Sequence, residues 1–173
     1  MRKILVVVDM QNDFVDGALG TKEAEAIVEN VVSKIAGFEG EIIATYDTHR
    51  ENYLETREGK YLPVRHCIEN TDGWKLNDKV EKALSEKSVV RIKKPTFGSV
   101  ELVGMLKDCD MADTEVTLIG LCTDICVVSN AMLLKAYYPE MNICIDAKCC
   151  AGVTPESHEA ALTTMKMCQM NII

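Results

Sequence analysis

The sequence predicts a three-layer α/β/α domain on a parallel sheet of five strands and a short sixth, and three observations carry that expectation. Strand-length runs rich in β-branched residues alternate with stretches of helical period along all 173 residues. Those runs are apolar throughout rather than at every second position, as strands are when helices cover both faces of a sheet. The polar residues capable of chemistry fall at the carboxyl ends of the runs, where an open parallel sheet binds its ligands.

The elements follow in order. KILVVVDM (3–10) reads as the first strand; Asp9 interrupts the apolar run and no small-residue cleavage site follows, so it is not read as a signal peptide. TKEAEAIVENVVSKIAGF (21–38) has helical period, and EIIATYD (41–47) is the second strand. The stretch THRENYLETREGKYLPVRHCIENTDGW (48–74) is polar, rich in turn formers and too long for an ordinary connection. Long ordered loops in compact domains usually serve function. NDKVEKAL (77–84) is a helix, SVVRIKK (88–94) the third strand and SVELVGMLKD (99–108) the next helix. EVTLIGL (115–121) is the fourth strand, TDICVVSNAMLLKAYY (123–138) a helix and NICIDAK (142–148) the fifth strand. TPESHEAALTTMKM (154–167) opens with Thr154 as N-cap and Pro155 at the first helical position, and MNII (170–173) supplies the short sixth strand. No repeat, low-complexity segment or linker divides the chain, so one domain over 1–173 is expected.

Composition narrows the partners. A net charge of −8 disfavours a nucleic-acid surface, which needs clustered Lys and Arg, and favours small uncharged or cationic ligands. No apolar run approaches the roughly 18 residues of a membrane span. Eight cysteines without a secretion signal read as free thiols in a cytoplasmic protein; the neighbours Cys149 and Cys150 would bridge only with strain. Cys109, Cys144 and Cys168 read as small buried hydrophobes, and His158 as a packing residue on a helix face.

Four strand ends converge on one candidate site: Asp9 after the first strand, Asp47 and His49 after the second, Lys94 closing the third, and Cys122 to Cys126 after the fourth. Cys126 lies just inside a helix start, where free N–H groups and the helix dipole are expected to lower a thiol pKa. The backbone N–H groups of Cys126 and Cys122 could form an oxyanion hole; the competing reading packs both cysteines in the core. A buried Asp9 needs a cation, and Lys94, just before Pro95, is the choice over Lys93, whose side chain leaves the opposite face of the strand. Asp beside Cys can shuttle its proton, and Lys can hold the Asp ionised; the competing reading is a purely structural ion pair. Asp47, His49, Glu58 and His66 form an oxygen- and nitrogen-rich set suited to a divalent metal, Zn²⁺, Fe²⁺ or Mn²⁺, unless these groups are merely solvated.

The blocks VVVDMQNDF, DTH, LPVRHCIENTDGW, KKPTFGS and GLCTDICV, in this order across nearly the whole chain, resemble the signature blocks of the isochorismatase-like cysteine hydrolases, and among them nicotinamidases. The resemblance implies a Rossmann-like six-stranded parallel sheet and a triad of Asp9, Lys94 and Cys126. It also implies a cis peptide between Leu121 and Cys122 that aims the Cys122 N–H at the oxyanion. It implies metal ligation by Asp47, His49 and His66, with Glu58 as the fourth ligand where many nicotinamidases carry another His. Phe14, Leu62 and Phe97 match positions that line the substrate pocket; many nicotinamidases have an aromatic where Leu62 stands. The activity implied is hydrolysis of a small carboxamide, nicotinamide foremost, by a homo-oligomer. Other members of the superfamily act on a different amide or ureido compound or on isochorismate, and a metal-binding or redox thiol protein is the non-enzymatic alternative.

Overall fold

The computed structural model describes all 173 residues. Six parallel strands form one sheet: β1 (Arg2–Val8), β2 (Glu41–Asp47), β3 (Val89–Lys94), β4 (Thr114–Leu121), β5 (Asn142–Ala151) and β6 (Asn171–Ile172), in the spatial order β3-β2-β1-β4-β5-β6. The chain builds outward from β1 through β2 to β3, then returns to lay β4 on the other side of β1. That reversal opens a crevice between β1 and β4 at the carboxyl ends of the strands.

The helices are α1 (Asn12–Val15), α2 (Lys22–Gly37), α3 (Arg57–Tyr61), α4 (Asp78–Ser85), α5 (Val100–Met105), α6 (Val128–Tyr137) and α7 (Pro155–Met167). They cover both faces of the sheet, and β1 displays the consequence. Ile4, Val6 and Val8 enter a core shared with α5, α6 and α7. Leu5 and Val7 enter a second core shared with α1, α2 and α4. All five are fully buried, which is why the run shows no polar alternation. At α7 the Thr154 hydroxyl accepts from Ser157 N–H while the Ser157 hydroxyl accepts from Thr154 N–H, a reciprocal cap with Pro155 at the first position.

Several boundaries differ from expectation. The first strand ends at Val8, because Asp9 turns into the left-handed region at φ 47°. β5 runs on to Ala151: its register against β4 shifts between Leu118 and Gly120, which realigns Cys150 and Ala151 with Gly120 and Leu121. The single helix expected over 123–138 is two pieces, a π-helical turn (Thr123–Val127) leading into α6. The helix expected over 99–108 is confined to α5. Within 48–74 a short 3₁₀ turn (Tyr53–Glu55) and α3 give the loop its own framework. No helix is long and apolar enough to cross a membrane.

Candidate active site

The crevice is shaped by one close backbone approach. Gly120 adopts φ +115°, and a Cβ there would lie 2.1 Å from the Val8 carbonyl oxygen, so only glycine lets β4 pass the end of β1 so closely. The following Leu121–Cys122 peptide is cis. The chain then enters the π-helical turn, in which the Cys122 carbonyl accepts from both Ile125 N–H at 3.1 Å and Val127 N–H at 3.0 Å. Cys126 sits within this turn, facing the end of β1.

Asp9, Lys94 and Cys126 meet there, all buried. Lys94 Nζ lies 2.6 Å from Asp9 Oδ2 and 3.3 Å from Asp47 Oδ1. It also lies 3.4 Å from Cys126 Sγ and 3.1 Å from the Thr96 carbonyl. The Thr45 hydroxyl donates to Asp9 Oδ1 at 2.7 Å. Asp9 Oδ2 has no partner besides this ammonium, and a carboxylate oxygen so placed retains a lone pair to receive a proton. Lys93 leaves the opposite face, pairing with Glu69 at 2.7 Å and lying 5.1 Å from the Trp74 ring centre.

Burial and charge set the protonation states. Burial pushes the Cys126 thiol well up, and the Asp9 carboxylate adds to this; Lys94 pulls the other way without winning. The lowered thiol pKa expected at a helix start is therefore not found: desolvation outweighs the dipole of a single turn. Burial also raises Asp9, against the pull of Lys94. For Lys94 burial opposes the charge, but Asp9, Cys126 and Asp47 together raise its pKa, so it stays an ammonium. A neutral thiol thus faces a carboxylate with raised proton affinity beside a fixed cation.

Next to this trio Asp47, His49, Glu58 and His66 direct one ligand atom each to a common point, all within 4.8 Å of one another. His49 Nε2 lies 2.9 Å from Asp47 Oδ2 and 3.4 Å from Glu58 Oε1. His66 Nε2 lies 3.6 Å and 3.7 Å from the same two oxygens. Four donors about 2.1 Å from a tetrahedral metal stand roughly 3.4 Å apart, so the set fits a zinc-sized cation. The His66 Nδ1 contact with the Val64 carbonyl, 2.8 Å, turns Nε2 toward the cluster, as outer contacts of ligating histidines do. Burial disfavours the Asp47 carboxylate, yet hydrogen bonds from His49 and His66 hold it far below the usual range. Burial likewise opposes the His49 imidazolium, and Asp47 and Glu58 overcome it, pushing its pKa up to about 9. Two acids gathered here draw a positive charge into the cluster.

Both groups open onto one cavity of about 230 Å³, walled by Phe14, Leu19, Leu62, Phe97, Ile125 and Val153, with Cys122, Cys126, Asp47, Glu58 and His66 at its base. It is smaller than the 300 Å³ or more of drug-sized sites. No lysine or arginine lines it. A cavity of about 290 Å³ at the sheet edge, beside Tyr46, Trp74 and Arg91, is lined by no cysteine, serine, threonine or histidine, and Arg91 is already paired with Glu81 at 2.6 Å.

Some residues of this architecture escaped the sequence reading. Gln11, fully buried, brackets Asp47: its amide oxygen accepts from Asp47 N–H and its nitrogen donates to the Asp47 carbonyl, both at 2.8 Å. A polar residue two places beyond Asp9 was the available signal. Asn130 is also fully buried; it donates to the Cys126 carbonyl at 2.8 Å and the Phe97 carbonyl at 3.2 Å, tying the cavity wall to the turn. Its place within a helical run gave no such hint.

The fold has known counterparts. A nicotinamidase/pyrazinamidase from Bacillus subtilis superposes with a TM-score of 0.87 at 27% identity, covering 99% of each chain. The pyrazinamidase of Pyrococcus horikoshii, solved in complex with zinc, superposes with a TM-score of 0.80 at 28% identity, covering 100% of this chain and 99% of that one. A probable inactive nicotinamidase of Arabidopsis thaliana is 27% identical over 181 residues, covering 94% of this chain and 87% of that protein. The family model described as the isochorismatase domain matches residues 3–173. With all but its first two residues inside that match, the chain belongs to the isochorismatase family of hydrolases.

Proposed function

We propose that the chain is a cysteine amidohydrolase that converts nicotinamide to nicotinate and ammonia. The observation that carries this reading is the meeting of Asp9, Lys94 and Cys126 beside the Asp47, His49, Glu58 and His66 cluster at one small, largely apolar cavity. The solved amidase relatives support it.

In this scheme Asp9 takes the Cys126 proton as the sulfur attacks the carboxamide carbon, and Lys94 steadies the charges of both. The N–H groups of Cys122 and Cys126 receive the oxyanion. Asp9 returns the proton to the amide nitrogen, the C–N bond breaks, ammonia departs and an acyl thioester remains on Cys126. Asp9 then deprotonates a water that attacks the thioester, and the proton returns to sulfur as the acid leaves. Asp47, His49, Glu58 and His66 would hold a divalent ion, Zn²⁺ or else Fe²⁺ or Mn²⁺, which supplies a Lewis acid to fix the ring nitrogen. Phe14, Phe97 and Leu62 clasp the ring faces. We infer a role in pyridine-nucleotide salvage for the chain, as a cytoplasmic protein.

Ammonia release from nicotinamide by wild type and by Cys126→Ala, alongside metal analysis, tests the proposal. Wild-type turnover abolished in Cys126→Ala is expected. Turnover of another carboxamide but not nicotinamide would move the assignment within the family. Inactivity on every amide, with thiol oxidation persisting in Cys126→Ala, would favour a redox protein.

A further inference from the structure

We propose that His158, in the first half of α7, is a positioning residue that holds the Cys126 turn in register with the cavity; this rests on reading Cys126 as the nucleophile. His158 Nδ1 lies 2.8 Å from the hydroxyl of Thr123, the first residue of the π-helical turn, and Thr123 is fully buried. The next residue is tethered too: both Asp124 carboxylate oxygens accept from Val153 N–H at 3.2 Å. The first two residues of the turn are thus fixed by their side chains, Thr123 to α7 and Asp124 to the segment that joins β5 to α7.

The turn needs such support. A π-helical turn is rare and occurs mostly as a single turn, frequently at a functional site. The opposite side of the clasp is rigid, because the reciprocal cap of Thr154 and Ser157 and the Pro155 start lock the beginning of α7. Gly152 makes the close approach possible: a Cβ there would lie 2.9 Å from both His158 N and His158 Cβ. His158 is absent from the cavity wall and acts only through Thr123. A nucleophile displaced by about 1 Å loses up to roughly 100-fold in rate, so the clasp bears on turnover although it touches neither substrate nor sulfur.

The test uses metal-loaded His158→Ala, His158→Asn, Thr123→Val and the double variant His158→Ala/Thr123→Val. An Asn Nδ2 or Oδ1 occupies the place of imidazole Nδ1, so His158→Asn can rebuild the contact. We read kcat and KM for nicotinamide, and separately the rate of Cys126 alkylation by iodoacetamide from peptide masses. His158→Ala is expected to lower kcat about 10-fold or more with KM within about twofold, and to change the Cys126 alkylation rate. His158→Asn should recover most of both, and the double variant should be no worse than either single change. Wild-type kcat and alkylation in His158→Ala, an Asn variant as impaired as the Ala variant, or additive losses would overturn the proposal. If the wild type fails on nicotinamide, the assigned substrate falls and the alkylation rates alone decide the clasp.

Discussion

The Asp9 carboxylate and the Lys94 ammonium meet at 2.6 Å with neither side chain reached by solvent. A pair so placed contributes little net stability, yet removing one partner strands the other charge. Lys94→Met leaves the buried Asp9 carboxylate uncompensated and is expected to cost about 3–5 kcal/mol, read as a lower denaturant midpoint at unchanged slope. Asp9→Asn keeps the shape and an oxygen for the Thr45 hydroxyl and leaves Lys94 the Asp47 carboxylate at 3.3 Å, so it is expected to fold with lowered stability and to lose at least about 100-fold in kcat. Wild-type kcat in Asp9→Asn would refute its proton-transfer role.

Withdrawal of one imidazole tests the cation cluster. His49→Ala is expected to release bound metal on dialysis and to raise KM for nicotinamide about 10-fold or more, since one of four donors is gone. Elemental analysis of the purified variant checks it; metal content equal to wild type would exclude His49 as a ligand.

Alkali should unfold the protein through its buried thiols. Burial raises Cys67, Cys126 and Cys150 above the ordinary value of 9.0. The native state therefore keeps these protons after the unfolded chain has released its own, and stability falls as pH rises from about 9 toward the native pKa values. Each such thiol costs up to roughly 1.4 kcal/mol per pH unit in that window. Denaturant midpoints between pH 8 and 10 should fall steeply, and Cys150→Ala should flatten the fall while lowering stability at pH 8. A flat profile in wild type would contradict the assignment.

Glycine at 120 is required by both dihedral and space. Gly120→Ala is expected to cost about 3 kcal/mol or more, or to abolish soluble expression. Gly104→Ala is the control: it lies in α5 with no atom within 4 Å of an added Cβ, and should stabilise by about 0.5–1 kcal/mol. Equal urea midpoints for the two variants would contradict this reading.

The sheet was legible because β1 is apolar on both faces, and that pattern has few structural solutions. Asp9 and Lys94 were legible because an ionised side chain at the end of such a strand demands a partner. The conformation around Cys126 was not: TDICVVSNAM has ordinary helical period, and only tertiary contacts turn its first five residues into a π-helical turn. The direction of the thiol pKa was missed for the same reason, since dipole and desolvation compete and the sequence reveals only the former. Gln11 and Asn130 act through backbone groups distant in sequence, and such pairings leave no periodic trace.

The order of the strands has a consequence for colloidal behaviour. One border of the sheet is β6, two residues long, and the other is β3, where Arg91 and Lys93 are exposed. A border that short offers little template to another chain, and charged side chains along the other border disfavour the addition of a further strand. Edge-to-edge pairing with another copy is thereby disfavoured at either margin, so the chain can keep an entirely parallel sheet without closing it into a barrel.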